Sequence, residues 1–370
     1  MVLFNNMKIG ILTYHRSHNY GALLQGIALR EVLTRAGHNV TFIDYWPAYH
    51  RHMYALFSFH WMMSLNGLKG KLSYLINCVF YYSTRKIRKS NFDKFISEYI
   101  EPYTSSVDEY YDVIVHGSDQ IWRKQPEINA YNPVYFGMHG INTPKKISYA
   151  ASMGILPQKD SEKAILKEYI SHLDSISVRE KSLQELVMNL GFEKVSHDLD
   201  PTLLLNQEYW VNKFKLVKND KPYALYYKIQ DSFDIQELRR YAKSKGLNLK
   251  VIHSRARCAE SEENITTASP LQFLQLLYGA DTLFTSSFHG LVFALNFNKP
   301  FFASFYKNGS RASSLLRLCD LEHRLVSPKA SITSVEGAID YSKVDRVLEG
   351  LREISIENLR ESLSFIKSGI

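Results

Sequence analysis

The chain has 370 residues, 45% of them apolar, which is enough for two α/β domains with a core each and excludes a single small module. Its three cysteines, Cys78, Cys258 and Cys319, are isolated, so neither a disulfide framework nor a CxxC metal site is written here, and a reducing cytoplasm is the expected compartment. Lysine and arginine (45) exceed aspartate and glutamate (37) by 8, and most of that excess is local, as described below.

The start of the chain leads straight into a strand, Lys8 to Thr13, and lacks the apolar run and small-residue cleavage site of a secretory signal. A polar turn from Tyr14 to Gly21 follows, then a helix with the stripe Leu29, Val32, Leu33, Ala36 and a capping Gly37, then a strand from Val40 to Asp44. This is a βαβ unit whose first turn faces the ligand side of a parallel sheet. It carries no GxGxxG, so it is not a dinucleotide fingerprint.

Residues 45–92 form an insertion with no acidic residue, while Arg51, Lys69, Lys71, Arg85, Lys86, Arg88 and Lys89 give it a charge of +7. These cations lie among Trp46, Phe57, Phe59, Trp61, Leu68, Leu72, Ile76, Val79 and Phe80, without reaching the roughly 20 clean apolar residues of a membrane span. The mixture fits contact with anionic lipid headgroups or an ordinary solvated basic face. No nucleic-acid-binding module accompanies it, and nucleic acid is not expected as a partner.

The βα rhythm resumes with Tyr111 to Val115, Lys146 to Ala150 and Ser175 to Val178. These strands end on Ser118-Asp119-Gln120, Ser152 and Arg179-Glu180, and in an open α/β sheet such carboxyl ends form the ligand crevice. Asp119 and Gln120 suit sugar hydroxyls or the holding of their own turn. Asp198 to Thr202 reads as the polar join between an N-terminal domain (1–200) and a C-terminal domain (201–342), with a helical segment (343–370) packing back on the first.

The second domain's strands are expected at Tyr223 to Ile229, Lys250 to His253, Thr282 to Phe284 and Phe301 to Phe305. Its centre is Ser286-Ser287-Phe288-His289-Gly290, a strand-to-helix turn with hydroxyls at cap positions and an imidazole at the helix start, where free N–H groups and the helix dipole attract anions. Arg179, His289, Lys307 and Arg311 can meet across the gap between domains, a set suited to a small multiply charged anion. No HExxH or DxD pair points to a metal, and no GxSxG points to a serine hydrolase.

Asn19-Tyr20-Gly21, His116-Gly117-Ser118-Asp119-Gln120-Ile121-Trp122, Tyr149 to Gly154, Ser177-Val178-Arg179-Glu180, Asp200-Pro201-Thr202 and Ser287 to Gly290 resemble, in order, the motifs of the polysaccharide pyruvyl transferases. The resemblance covers residues 7 to 320. It implies a GT-B-like pair of Rossmann-like domains, phosphoenolpyruvate as donor, a pyruvate ketal placed on a cell-surface glycan and no cofactor. It puts the family's essential histidine on His289 and its essential arginine on Arg179. Donor contacts are then expected from Ser286, Ser287, Gly290, Lys307 and Arg311, and acceptor contacts from Asn19, Asp119, Gln120 and Ser152. Many members carry an arginine at the position of Ser287, and Arg311 is the candidate to supply what Ser287 does not. The acceptor is expected to be linked to a polyprenyl diphosphate at the inner face of the membrane. The alternatives are a GT-B glycosyltransferase using a nucleotide sugar, since architecture does not distinguish donors, and a glycan-binding protein without chemistry.

Overall fold

The computed structural model describes residues 6–125, 128–218, 221–256, 258–306, 309–332 and 337–364. The first domain contains β1 (Lys8–Leu12), α1 (Tyr20–Arg35), β2 (Asn39–Ile43), the insertion helices α2 (Ala48–Tyr54), α3 (Phe59–Ser64), α4 (Gly67–Phe80) and α5 (Tyr82–Tyr99), then β3 (Thr104–Ser105), β4 (Val113–Gly117) and β5 (Lys146–Tyr149). It continues with α6 (Asp160–Ile170), β6 (Ile176–Val178), α7 (Lys181–Asn189) and β7 (Val195–His197). The second contains α8 (Gln207–Phe214), β8 (Tyr223–Lys228), α9 (Ile235–Ser244), β9 (Asn248–His253), β10 (Asn264–Ile265), α10 (Pro270–Gly279), β11 (Thr282–Thr285), α11 (Phe288–Asn296), β12 (Phe301–Ala303) and α12 (Ser310–Leu318), and α13 (Tyr341–Ser364) closes the chain.

Both main sheets are parallel. The first runs β3-β2-β1-β4-β5, and bridges from Ile147 to Ser175 and from Ala151 to Val178 carry it on to the β6-β7 pair. The second runs β10-β9-β8-β11-β12. In each sheet the strand order reverses direction at one place, between β1 and β4 and between β8 and β11, and that is where an open α/β sheet opens a crevice beyond its strand ends. The two crevices face each other in a GT-B-like arrangement.

Apolar packing joins the halves. The Tyr20 ring stacks on Phe273 with centroids 4.3 Å apart, its hydroxyl donates to the Ala268 carbonyl at 2.9 Å, and Leu23, Leu24, Phe273, Phe288 and Leu291 belong to one buried cluster. Helix α13 begins against the second domain, where Asn298 meets Asp345 at 3.0 Å. It ends on the first, where Asn358 donates to Asp198 at 2.8 Å and the hydroxyls of Ser362 and Ser175 lie 2.8 Å apart.

The insertion is helical, but its charge is arranged differently from the expected basic face. Arg88 is buried: it donates to the Tyr20 hydroxyl at 2.9 Å and to the carbonyls of Thr266 and Ser254 at 3.0 and 3.1 Å. It is an interdomain clamp rather than a surface charge, because a guanidinium satisfies several buried carbonyls at once. Arg85 is turned inward on Cys78 and the Ala55 carbonyl, and Lys89 pairs with Asp93 one turn on. Among the described residues no helix is long and apolar enough to cross a membrane.

Candidate functional site

Strand β11 delivers the chain into the turn at Thr285 to Ser287, and all nine residues of α11 are buried, so this helix has one possible seat. Ser287 is its N-cap, its hydroxyl accepting from the Gly290 N–H at 3.4 Å while its own N–H donates to Thr285 Oγ1 at 3.0 Å. The hydroxyl of Ser286 accepts from the N–H groups of Ile229 and Gln230, both at 2.9 Å, and donates to the Gln230 carbonyl at 3.1 Å. Ser286 therefore pins the β8 end to the β11 end and has no proton left for a ligand. Gly290 is a packing position, since a Cβ there would sit 2.1 Å from Thr285 Oγ1.

His289 projects from the first turn of α11 toward the other domain. Its ring lies against α1: a Cβ on Gly21 would fall 2.0 Å from His289 Nδ1. Gly21, read from sequence as closing a turn, instead stands in the first turn of α1, whose N-cap is Asn19 with its side chain accepting from the Ala22 N–H at 3.3 Å. Only a residue without a side chain lets that helix approach the imidazole so closely. His289 Nε2 lies 3.4 Å from Asp200 Oδ2, too poorly aligned for a hydrogen bond, and is left without a partner.

Within the polar stretch from Asp198 to Thr202 the Asp200 carboxylate is fully buried. One oxygen accepts from Thr202, by N–H at 3.0 Å and hydroxyl at 2.6 Å, and the other takes a short contact from Arg179 Nη1. Burial alone would raise its pKa, but His289, Arg179 and the Thr202 hydroxyl outweigh that and hold it well below the usual carboxylate range. Burial works against the Arg179 charge too, yet Asp200, Glu180 and Asp119 together keep its pKa above the ordinary value. Asp119 stands 3.7 Å from Arg179 Nη2 on backbone of positive φ (65°).

Arg311, near the start of α12, is partly buried with its Nε 3.9 Å from Glu180, and its pKa is pushed down to about 10 by desolvation and by the neighbouring Arg179. Glu180 takes a short hydrogen bond from Ser152, so that hydroxyl orients a carboxylate and is not open to an acceptor. Burial raises the Glu180 pKa despite the nearby cations Arg179 and Arg311. Both guanidinium groups lie over the Phe288 ring, Arg179 at 4.8 Å and Arg311 at 5.2 Å from its centroid. Each stacks on it by a cation–π contact, which fixes their planes without using their N–H groups.

The cluster is thus not a bare set of cations. Two arginines, Arg179 buried and Arg311 partly so, face three carboxyl groups, Asp119, Glu180 and Asp200, and this pairing offsets the loss of water around them. What remains open is directional: Arg179 Nε and Nη2, Arg311 Nε and His289 Nε2 are all buried without a hydrogen-bond partner. Arg179 and Arg311 line a cavity of about 70 Å³ together with Asp198, Asp200, Phe288 and Leu315, and His289 stands outside that lining, beside Asp200. Buried donors left unpaired are costly unless a ligand completes them, and titratable groups perturbed in this way mark functional sites. Lys307 lies outside the described residues. Gln120 accepts at its carbonyl from the Tyr14 hydroxyl at 3.1 Å, with its side chain beside Gly154. No group of three or more His, Cys, Asp or Glu side chains among the described residues is placed to hold a metal ion.

Sequence reasoning did not assign Asp200, Glu180, Phe288 or Gly21 to the site. Asp200-Pro201-Thr202 carried a local signal, a capping aspartate before proline, but such a cap leaves one carboxylate oxygen unassigned. The partners of that oxygen come from other elements.

A family model described as polysaccharide pyruvyl transferase matches residues 19–307. No curated protein matches the sequence. Among solved structures, the chain is similar to the glycosyltransferase SnogD from Streptomyces nogalater, with 11% identity over 98% of this chain and 99% of that one and a TM-score of 0.43. It is also similar to the UDP-GlcNAc 2-epimerase from Neisseria meningitidis bound to UDP-GlcNAc, with 8% identity over 96% and 93% of the two chains and a TM-score of 0.45.

Proposed function

Since the chain belongs to the polysaccharide pyruvyl transferase family, we propose that it moves pyruvate from phosphoenolpyruvate onto two hydroxyls of one sugar in a cell-surface glycan precursor, closing a ketal and releasing inorganic phosphate. The observation that carries this reading is the pair of guanidinium groups, Arg179 and Arg311, that line one interdomain cavity with N–H groups left unpartnered, while the unpartnered Nε2 of His289 lies close by beside Asp200. Phosphoenolpyruvate is small and carries a phosphate and a carboxylate, and guanidinium groups with free N–H pairs match both by charge-assisted hydrogen bonds.

In this scheme Arg179 and Arg311 hold the donor against the Phe288 edge. An acceptor hydroxyl adds through oxygen to C2, losing its proton, while C3 takes up a proton and becomes a methyl group. A second hydroxyl then attacks C2 and the C2–O bond to phosphate breaks; that hydroxyl's proton leaves with the phosphate. The formal oxidation of C2, which gains a second oxygen, is matched by the reduction of C3, which gains a hydrogen, so the balance closes without a redox cofactor. His289 is the proton carrier, with Asp200 beside it and Gly21 backing its ring. Asp119 and Gln120, at the first domain's strand ends, stand on the acceptor side.

Incubation of the protein with phosphoenolpyruvate and a panel of synthetic or lipid-linked glycans, followed by mass spectrometry, tests the reading. A glycan gaining one pyruvate ketal with stoichiometric phosphate release is the expected result. Sugar transfer from a nucleotide sugar with no use of phosphoenolpyruvate would make the chain a glycosyltransferase instead.

A further inference from the structure

Helix α4 turns an apolar stripe to solvent. Leu68, Leu72, Leu75, Ile76, Val79 and Phe80 recur at helical spacing, and at about 100° per residue they share one face. All six are exposed, with Leu68, Val79 and Phe80 retaining 86, 74 and 76% of their free surface. On the neighbouring α3 Met63 is also exposed, and Lys71 Nζ lies 3.9 Å from its sulfur. Such a stripe normally faces a core, and a contiguous exposed one marks an interaction surface.

We propose that α4 lies in the plane of an anionic membrane with this stripe inserted at the boundary between headgroups and acyl chains. At 14 residues it is shorter than the roughly 20 a span requires, so it lies on the bilayer rather than across it. Lys69 falls toward one side of the stripe, between Ile76 and Phe80, and Lys71 just beyond the other side, so that their stems follow the apolar face and their ammonium groups reach phosphate. Lys86 and Arg51 are exposed nearby, and no carboxylate interrupts residues 45–92.

Charge also argues against self-association through this face. A second copy would set one acid-free basic surface against another, and like charges across an interface oppose pairing. An anionic bilayer offers the opposite sign together with a medium for the apolar stripe. The arrangement shifts the weight from the Arg85 to Lys89 cluster, since Arg88 is buried between the domains, to the side chains of α4 and its two flanking lysines. Because α5 follows α4 directly and carries the Arg88 clamp, docking of α4 would fix the membrane's position relative to both domains.

Flotation of the full chain with phosphatidylcholine vesicles, with and without phosphatidylglycerol, tests this, alongside analytical ultracentrifugation without lipid. The chain is expected to float with the anionic vesicles and not the neutral ones. Val79→Asp is expected to weaken binding at least about tenfold, with an unchanged melting temperature because the side chain is exposed. Lys69→Ala with Lys71→Ala is expected to weaken it in low salt and less in high salt. Equal binding to neutral vesicles would overturn the headgroup assignment. No flotation, with a dimer that Val79→Asp dissociates, would make the stripe a protein interface, and no flotation of a monomer would overturn the proposal outright.

Discussion

Helices α11 and α4 carry similar apolar spacing and end in opposite surroundings: every residue of α11 is buried and none of α4 is. The difference lies in what flanks them. Helix α11 is fed by β11 at the reversal point of a parallel sheet, with sheet on one side and α1, α10 and the Asp200 turn on the others. Helix α4 belongs to an excursion between β2 and β3 that never returns to the sheet, and its contacts are with α3 and α5. Apolar periodicity therefore says that a face needs cover. Topology decides whether the protein supplies it.

The α11 side of this contrast is the one to break first. His289→Gln is expected to lower kcat by about 10²–10⁴ with folding intact, the range typical of a lost general acid or base. Near-normal turnover from the folded variant would remove His289 from the chemistry and leave it a packing residue.

Asp200→Asn comes next, and its effect is on stability. Removing that charge leaves Arg179 buried with less compensation, at a cost of about 3–5 kcal/mol. The native-state pKa of Asp200 is depressed, so its contribution is present above the ordinary value of 3.8 and is lost as pH falls through the native-state value. Denaturation of the two proteins at a series of pH values should show a wide gap near neutrality that closes in acid. Glu180 has the opposite sign, because its raised pKa makes ionisation oppose the fold. Its favourable contribution is complete below the unfolded-state value and lost as pH rises through the native one. A gap between wild type and Asp200→Asn that does not depend on pH would contradict the pairing.

Smaller still is Gly21→Ala. The added methyl would collide with the His289 ring, and displacement of a reacting group by about 1 Å costs roughly 10² in rate. Unchanged kcat would mean that α1 is free to retreat and does not position the imidazole.

Much of this was legible beforehand. Each βα step with a long apolar strand was placed within a few residues, and the turn at Ser287 to Gly290 announced itself through two hydroxyls before an apolar helix. The partners were not legible, because they are set by distance in space. Asp200 faces Arg179 and His289, 21 and 89 positions away in the chain, and its own neighbours read as a linker. Arg88 sits in a run of basic residues that looks uniformly solvated, yet its helix happens to pass the 253–266 carbonyls. Ser152 and Ser286 were expected at substrate, and each instead spends its hydroxyl on a structural partner, since a small hydroxyl at a strand end serves either purpose.

In the proposed scheme the unpartnered groups of Arg179, Arg311 and His289 receive phosphoenolpyruvate. Thermal melting with added ligand tests it most directly, since a ligand that binds only the folded state raises the transition by mass action. Phosphoenolpyruvate should raise the melting temperature of the wild type, and the rise should disappear in Arg311→Met. A rise with UDP- or GDP-sugars and none with phosphoenolpyruvate would contradict it.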